Sequence, residues 1–161
     1  MGVEIERKFL LKPGVSLPDS DHVLHIRQFY LNSDETLSVR VRLVDEAKAY
    51  VTIKKVTGDQ LTVRSEFEYE IPVEDAREME AFAVGATIVK NRHIIMIDDV
   101  RWEVDFFSEA NEGLMLTEVE LESLDTPVQL PPWVGREVSD DPRYLNNQLA
   151  AHPYTSWKDE E

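Results

Sequence analysis

Charged and apolar residues take alternate places through most of this chain, and a strand is the regular structure that sends successive side chains to opposite sides. Glu4, Glu6 and Lys8 alternate with Val3, Ile5 and Phe9, and Ser38, Arg40 and Arg42 alternate with Leu37, Val39, Val41 and Leu43. Tyr50, Thr52 and Lys54 oppose Val51 and Ile53; Thr62, Arg64, Glu66, Glu68 and Glu70 oppose Leu61, Val63, Phe67, Tyr69 and Ile71. Later, Lys90 and Arg92 share one side, Arg101, Glu103 and Asp105 another, and Glu118, Glu120 and Glu122 a third. A chain patterned this way folds mainly as β-structure.

Turn chemistry at Lys12-Pro13-Gly14, Asn32-Ser33-Asp34, Thr57-Gly58-Asp59, Asp98-Asp99 and Asn111-Glu112-Gly113 separates these stretches and predicts antiparallel hairpins. Strands are expected near 2–11, 23–31, 37–45, 48–56, 61–71, 86–97, 100–108 and 114–123. Eight strands suffice to close a small barrel. Helical spacing of Ala76, Met79, Phe82 and Ala83 predicts a helix over 73–84 ended by Gly85. Asp141 as N-cap and Pro142 at the first helical position predict a second, running through Tyr144, Leu145, Gln148 and Leu149. The expected class is mainly β with a few helices, in one domain over 1–161 with a peripheral tail from about 153 and frayed residues at Asp159-Glu160-Glu161.

Composition bounds the chemistry. No cysteine and only four histidines, without ligand spacing, leave hard oxygen donors for any metal. No apolar run is long enough to span a bilayer, and no secretory leader pattern stands at the start, so a cytoplasmic location is expected. A net charge of −15 argues against nucleic acid and anionic membranes as partners. Basic residues nevertheless cluster, as Arg40 with Arg42, Lys54 with Lys55, and Lys90 with Arg92, which suits a small, highly charged anion accompanied by carboxylate-bound cations.

Parity sorts the charges but does not say which side faces inward. An antiparallel sheet ordinarily turns its charged side to water. If the charged sides instead converge inside a barrel, burial requires them to be paired, metal-bound or wet. The apolar outer side would then need cover from the two helices and from a second subunit, making a homodimer a conditional expectation.

The ordered series Glu4-x-Glu6-x-Lys8, Arg40-x-Arg42, Lys54, Glu66-x-Glu68, Lys90-x-Arg92, Asp105 and Glu118-x-Glu120 resembles the CYTH domain, also called the triphosphate tunnel metalloenzymes, from Glu4 to about Tyr144. The segments Gln28-Phe29-Tyr30-Leu31, Trp102-Glu103-Val104-Asp105 and Pro131-Pro132-Trp133 make it most similar to the small bacterial inorganic triphosphatases. The resemblance implies a closed eight-stranded antiparallel barrel with the charged side inward, lining a tunnel for a triphosphate and divalent cations. Phe29 stands where relatives often have Gly, and His93 where they often have Tyr; either could reshape a tunnel mouth.

From the resemblance, Glu4, Glu6, Glu118 and Glu120 are expected to bind Mg2+ or Mn2+, with Asp105, Glu66 and Glu68 holding a second cation or orienting water. Lys8, Arg40, Arg42, Lys54, Arg64, Lys90 and Arg92 are expected to bind phosphate oxygens. Tyr30 and Lys54 match a pair that activates water in thiamine triphosphatases, and Tyr30 is equally readable as an aromatic wall residue; Lys8 completes the catalytic candidates. The expected activity is metal-dependent hydrolysis of inorganic tripolyphosphate to pyrophosphate and phosphate. The alternatives are thiamine or nucleoside triphosphate hydrolysis, class IV-type adenylyl cyclase activity, and a module that binds polyphosphate without turnover.

Overall fold

The two-residue repeat becomes nine strands: β1 (Gly2–Leu11), β2 (His22–Tyr30), β3 (Leu37–Val44), β4 (Lys48–Val56), β5 (Val63–Ile71), β6 (Val84–Ile97), β7 (Val100–Ser108), β8 (Met115–Glu120) and β9 (Val134–Glu137). The computed structural model describes residues 2–160 except 33 and 35, and the side chains of 158–160 are outside the description. Ser33 of the expected Asn32–Asp34 turn, Glu161 of the expected frayed end and the Lys158–Glu160 side chains therefore lie outside the described residues. Round the sheet the order is β5, β4, β3, β2, β6, β7, β8, β1, and β1 pairs again with β5 to close the barrel. All these pairings are antiparallel.

The ninth strand was not expected. It is four residues long and adds to the other end of β1, with Leu11 opposite Val134 and Phe9 opposite Glu137. Too short to show alternation, it is held by that register rather than by a pattern of its own. The strand over 114–123 also stops at Glu120.

The charged side faces inward. Its opposite, apolar side packs outside the barrel in two clusters. Phe29, Val41, Leu43 and Ala49 are covered by α1 (Val73–Met79) through Ala76, Val73 and Met79. Phe9, Ile95, Trp102, Val104 and Val119 are covered by Leu121, Val128, Trp133 and Val134. On β4 and β5, Ile53, Phe67 and Tyr69 remain exposed. Phe29 and His93 belong to this outer side, so neither shapes the cavity mouth: Phe29 is fully buried in the first cluster, and the His93 ring stands edge-on to Phe106 while its Nδ1 shares a hydrogen bond with Ser20 Oγ at 2.7 Å.

The helices depart from expectation in informative ways. The first ends at Met79, continues as one 3-10 turn over Glu80–Phe82, and gives way to β6, so Gly85 sits in a strand and not at a helix end. The second is broken: Asp141 caps a 3-10 turn over Pro142–Tyr144, Leu145 is extended, and α2 (Asn146–Ala151) starts afresh. Nor does α2 cover the outer side. Its Leu149 and Ala150, with Tyr144 and Trp157, pack on Tyr30, Ile88, Phe107 and Leu116. Those four share the inner side with the charged residues, one step further along their strands, so α2 stoppers one end of the barrel.

The C-terminal stretch is part of the stopper and not a peripheral tail. Trp157 is buried edge-on to Tyr144 and Tyr154, and the Tyr154 amide donates to Asn111 Oδ1 at 2.8 Å. Among the described residues no helix is long and apolar enough to cross a membrane.

Gly85 is where β6 passes beneath α2. Its φ is +78°, and a Cβ there would stand 2.5 Å from the Ala150 carbonyl oxygen, a backbone atom with no rotamer to yield. Gly85→Ala should cost about 1–3 kcal/mol, lowering the midpoint of thermal unfolding by roughly 3–10 °C; an unchanged melting curve would show that the stopper does not constrain this strand.

Candidate active site

Cross-strand register decides which charges meet inside the barrel. Glu4 lies opposite Arg64, Glu6 opposite Glu120, Lys8 opposite Glu118, Lys54 opposite Glu66 and Arg92 opposite Asp105. These residues surround a cavity of about 210 Å³ whose walls include seven cations, Lys8, Arg40, Arg42, Lys54, Arg64, Lys90 and Arg92, and seven acids, Glu4, Glu6, Glu66, Glu68, Glu103, Glu118 and Glu120.

The two signs interlock. Lys54 Nζ donates to both Glu4 oxygens at 3.0 and 3.1 Å and lies 3.5 Å from Glu66. Arg64 Nη2 donates to Glu4 at 2.6 Å and to Glu6 at 2.9 Å. Lys8 Nζ donates to the Tyr144 carbonyl at 2.9 Å and stands 3.4 Å from Glu118, which is 3.7 Å from Arg92. Thr52 donates to Glu68 at 2.8 Å, and Arg40 approaches the same carboxylate at 3.7 Å. The Nε donors of Arg40 and Arg64 are buried without a hydrogen-bond partner.

Of the expected site residues, Asp105 alone is not a wall residue. It is fully buried, accepting from Lys90 at 2.8 Å and bidentately from Arg92 at 2.8 and 2.9 Å. Its oxygens fix two cations, and it has no surface on the cavity. Tyr30 and Lys54 both line the cavity, but among the described residues no hydrogen bond joins them: Tyr30 Oη is 3.4 Å from Gln28 Nε2, and Lys54 is held by Glu4 and Glu66.

Five contributors were not assigned from sequence. Ser38 and Glu103 share parity with assigned residues, which was the available signal. Gln28, which bonds Asn146 at 2.9 Å, likewise shares the parity of Tyr30 on β2; Asn146 and Asn147, which line the cavity, gave no signal, because nothing in the sequence says that a helix starting at Asn146 enters a barrel end.

Comparison with known proteins agrees with this geometry. A family model described as the CYTH domain matches residues 2–154. The chain belongs to the CYTH domain family. An inorganic triphosphatase of Acetivibrio thermocellus is 41% identical over 161 residues, covering 99% of this chain and 100% of that one. One from Nitrosomonas europaea is 35% identical over 151 residues, covering 91% and 96%. A crystal structure of an inorganic triphosphatase superposes with a TM-score of 0.64 at 33% identity, covering 91% of this chain and 97% of that one.

Within this CYTH barrel the charge balance is uneven from end to end. The carboxylates at Glu66, Glu68, Glu103 and Glu120 are the more exposed, whereas Lys8 and Lys90 contact the stopper directly. Burial, with Glu118 and Glu4 beside it, pushes the Glu6 carboxyl up to about 7. Burial and a hydrogen bond shared with Glu4 raise Glu66, and burial with Glu4 and Glu103 raises Glu120. Conversely, burial with Arg40 and Arg92 nearby lowers Arg42 to about 9, and burial lowers Lys90 to about 7 despite Asp105, with Arg92 and Arg42 adding to the depression. Burial would raise Glu4 too, but Lys54 and Arg64 prevail and bring it down to about 2. One region is short of positive charge and the other of negative.

Glu6 makes the first consequence measurable. Its folded carboxyl titrates near 7 against 4.5 for the free group, so the folded state binds more protons between those values and stability falls as pH rises through that window. In metal-free buffer Glu6→Gln, which has no such loss, should be more stable than wild type at pH 8 by about 2–3 kcal/mol, the gap closing toward pH 4.5. Chemical denaturation across pH checks this, and a gap independent of pH would refute the repulsion.

Proposed function

We propose that this CYTH barrel hydrolyses inorganic tripolyphosphate to pyrophosphate and phosphate with Mg2+ or Mn2+. The observation that carries the reading is one cavity walled by seven cations and seven carboxylates, in which Glu6 faces Glu120 across the strands and Arg42 has no carboxylate within ion-pair distance among the described residues. A metal–polyanion pair answers both at once. The reading agrees with the names of the two relatives, both called inorganic triphosphatase.

The donor set fits a hard divalent cation. Among the described residues no three His, Asp or Glu groups form a ready-made cage, and Mg2+ does not ask for one, since it takes one or two carboxylates and completes its shell with phosphate oxygens and water. Glu4, Glu6, Glu118 and Glu120 on β1 and β8, with Glu66 and Glu68 on β5, are the residues to hold it; Asp105 is not. When bound, such a cation neutralises phosphate oxygens and acidifies water.

The protein's own part is positioning and charge neutralisation, which is most of what phosphoryl transfer requires. Tripolyphosphate carries about four to five negative charges near neutrality. Arg40 and Arg64, whose Nε donors lack a hydrogen-bond partner among the described residues, with Lys8, Arg42 and Lys54, take its oxygens, Lys54 releasing Glu4 in doing so, and Lys90 and Arg92 add theirs while remaining paired with Asp105. Glu4, once released from Lys54, becomes available to the cation, so anion and cation should bind cooperatively.

A cavity of about 210 Å³ lies below the roughly 300–1,000 Å³ usual for organic ligands, and Tyr30 is its one aromatic wall residue among those described. That favours a bare phosphate chain. With Mg2+ or Mn2+, kcat/KM for tripolyphosphate should exceed that for ATP and thiamine triphosphate by about tenfold or more, without cyclic AMP; strong cyclic AMP formation with little phosphate release would reject the reading, as would tight calorimetric binding without turnover.

Lys54→Ala tests the wall itself. It should lower kcat/KM by about a hundredfold or more while shifting the melting temperature little, because Glu4 keeps Arg64 as its partner. Loss of stability with retained rate would make Lys54 a structural residue.

A further inference from the structure

Six of the seven wall cations have a carboxylate within ion-pair distance; among the described residues Arg42 has none. The residues directly across from Arg42 are neutral on both sides, Gln28 on β2 and Tyr50 on β4. Arg40 and Lys90 also face neutral residues on both sides, but they reach the Glu68 and Asp105 carboxylates diagonally, which Arg42, held by Gln28, does not. We infer that Gln28 and Asn146 are positioning residues that keep Arg42 unpaired and oriented, so that it anchors the phosphate chain at the end of the cavity next to the stopper. The inference rests on the tripolyphosphate reading above.

Hydrogen bonding fixes the arrangement. Asn146 Oδ1 accepts from Lys90 Nζ at 3.0 Å, so that edge of the Asn146 amide must be its oxygen. The same oxygen accepts from Gln28 Nε2 at 2.9 Å, which in turn obliges Gln28 to point its oxygen the other way. That oxygen accepts from Arg42 Nε at 2.8 Å. Gln28 is fully buried, so water is not at hand to offer a substitute. A flipped Gln28 would set amide hydrogens against a guanidinium.

The consequence for Arg42 is specific. Its Nε is occupied by a neutral acceptor, while its two Nη groups keep the fork that suits phosphate oxygens. An amide oxygen orients the guanidinium without neutralising it. Burial and the nearby Arg40 and Arg92 leave that charge poorly compensated, which is the condition under which an anion gains most by arriving. Because Asn146 opens α2, the stopper is not inert; its first residue orients Arg42 through one intermediary.

Two substitutions test the chain of contacts. Gln28→Glu places a carboxylate where the amide oxygen now meets Arg42, and Asn146→Asp places one on Lys90 and removes the fixed sense of Gln28. Each should raise KM for tripolyphosphate about tenfold or more with kcat changed far less. In the ligand-free protein Gln28→Glu should also raise the melting temperature, since a buried lone charge acquires a partner; a merely structural glutamine would give the opposite sign. KM decides where wild type turns over tripolyphosphate: a value within twofold of wild type in Gln28→Glu overturns the inference. If that variant does not fold, the same criterion applies to Asn146→Asp. If wild type does not hydrolyse tripolyphosphate, the functional reading fails separately, and the melting shift then decides: a rise supports the positioning role and no rise overturns it.

Discussion

The constraint on which this molecule depends is that fifteen ionisable side chains, the fourteen of the cavity wall and Asp105, converge inside one small barrel and must neutralise one another. Isolated charges there would be prohibitive. Register solves most of the problem by setting acids opposite bases: Glu4 to Arg64, Lys8 to Glu118, Lys54 to Glu66, Arg92 to Asp105. Some charges are left without an opposite across the strands: Glu6 faces Glu120, Glu103 faces Glu118, and Arg42 faces Gln28. A ligand that brings both signs completes an arrangement the protein leaves deliberately unequal at its two ends.

Turning charge inward obliges the fold to make its hydrophobic core elsewhere. Two clusters lie outside the barrel and a third closes one end, each recruiting a different connecting segment: α1, the stretch from Leu121 to Val134, and the C-terminal stretch through Trp157. The connections are thereby structural elements rather than mere links. The same C-terminal stretch also supplies two groups that touch the buried lysines, the Tyr144 carbonyl on Lys8 and Asn146 on Lys90.

How much of this the sequence disclosed follows from what each signal encodes. Parity located eight strands, several to the residue, and grouped every wall cation, because a period of two is a property of single strands. It was silent on direction, which depends on closure between β1 and β5, and only the family resemblance supplied it. Asp105 matched the series as well as Glu4 did, but which of two inward carboxylates meets solvent and which is spent on Lys90 and Arg92 depends on depth in the barrel. Leu145 carries no sign that the chain turns extended there, so one helix was expected where there are two short ones. Gln28 and Asn146 are separated by 118 positions, and only the closed fold brings their amides together.

The inward charge also divides the labour of each strand between alternate residues. On β3, Val41 and Leu43 are buried outside the barrel while Arg40 and Arg42 face the cavity. Damage in such a protein should come in two interleaved kinds, one that unfolds it and one that leaves a sound but silent barrel. The gravest lesion is a different one. Deleting a single residue within β3 would exchange the two combs beyond that point, presenting valines to the cavity and guanidiniums to the α1 cluster. Selection can therefore edit the letters of these strands freely by comparison with their length, and the loops are left as the places where the chain can grow.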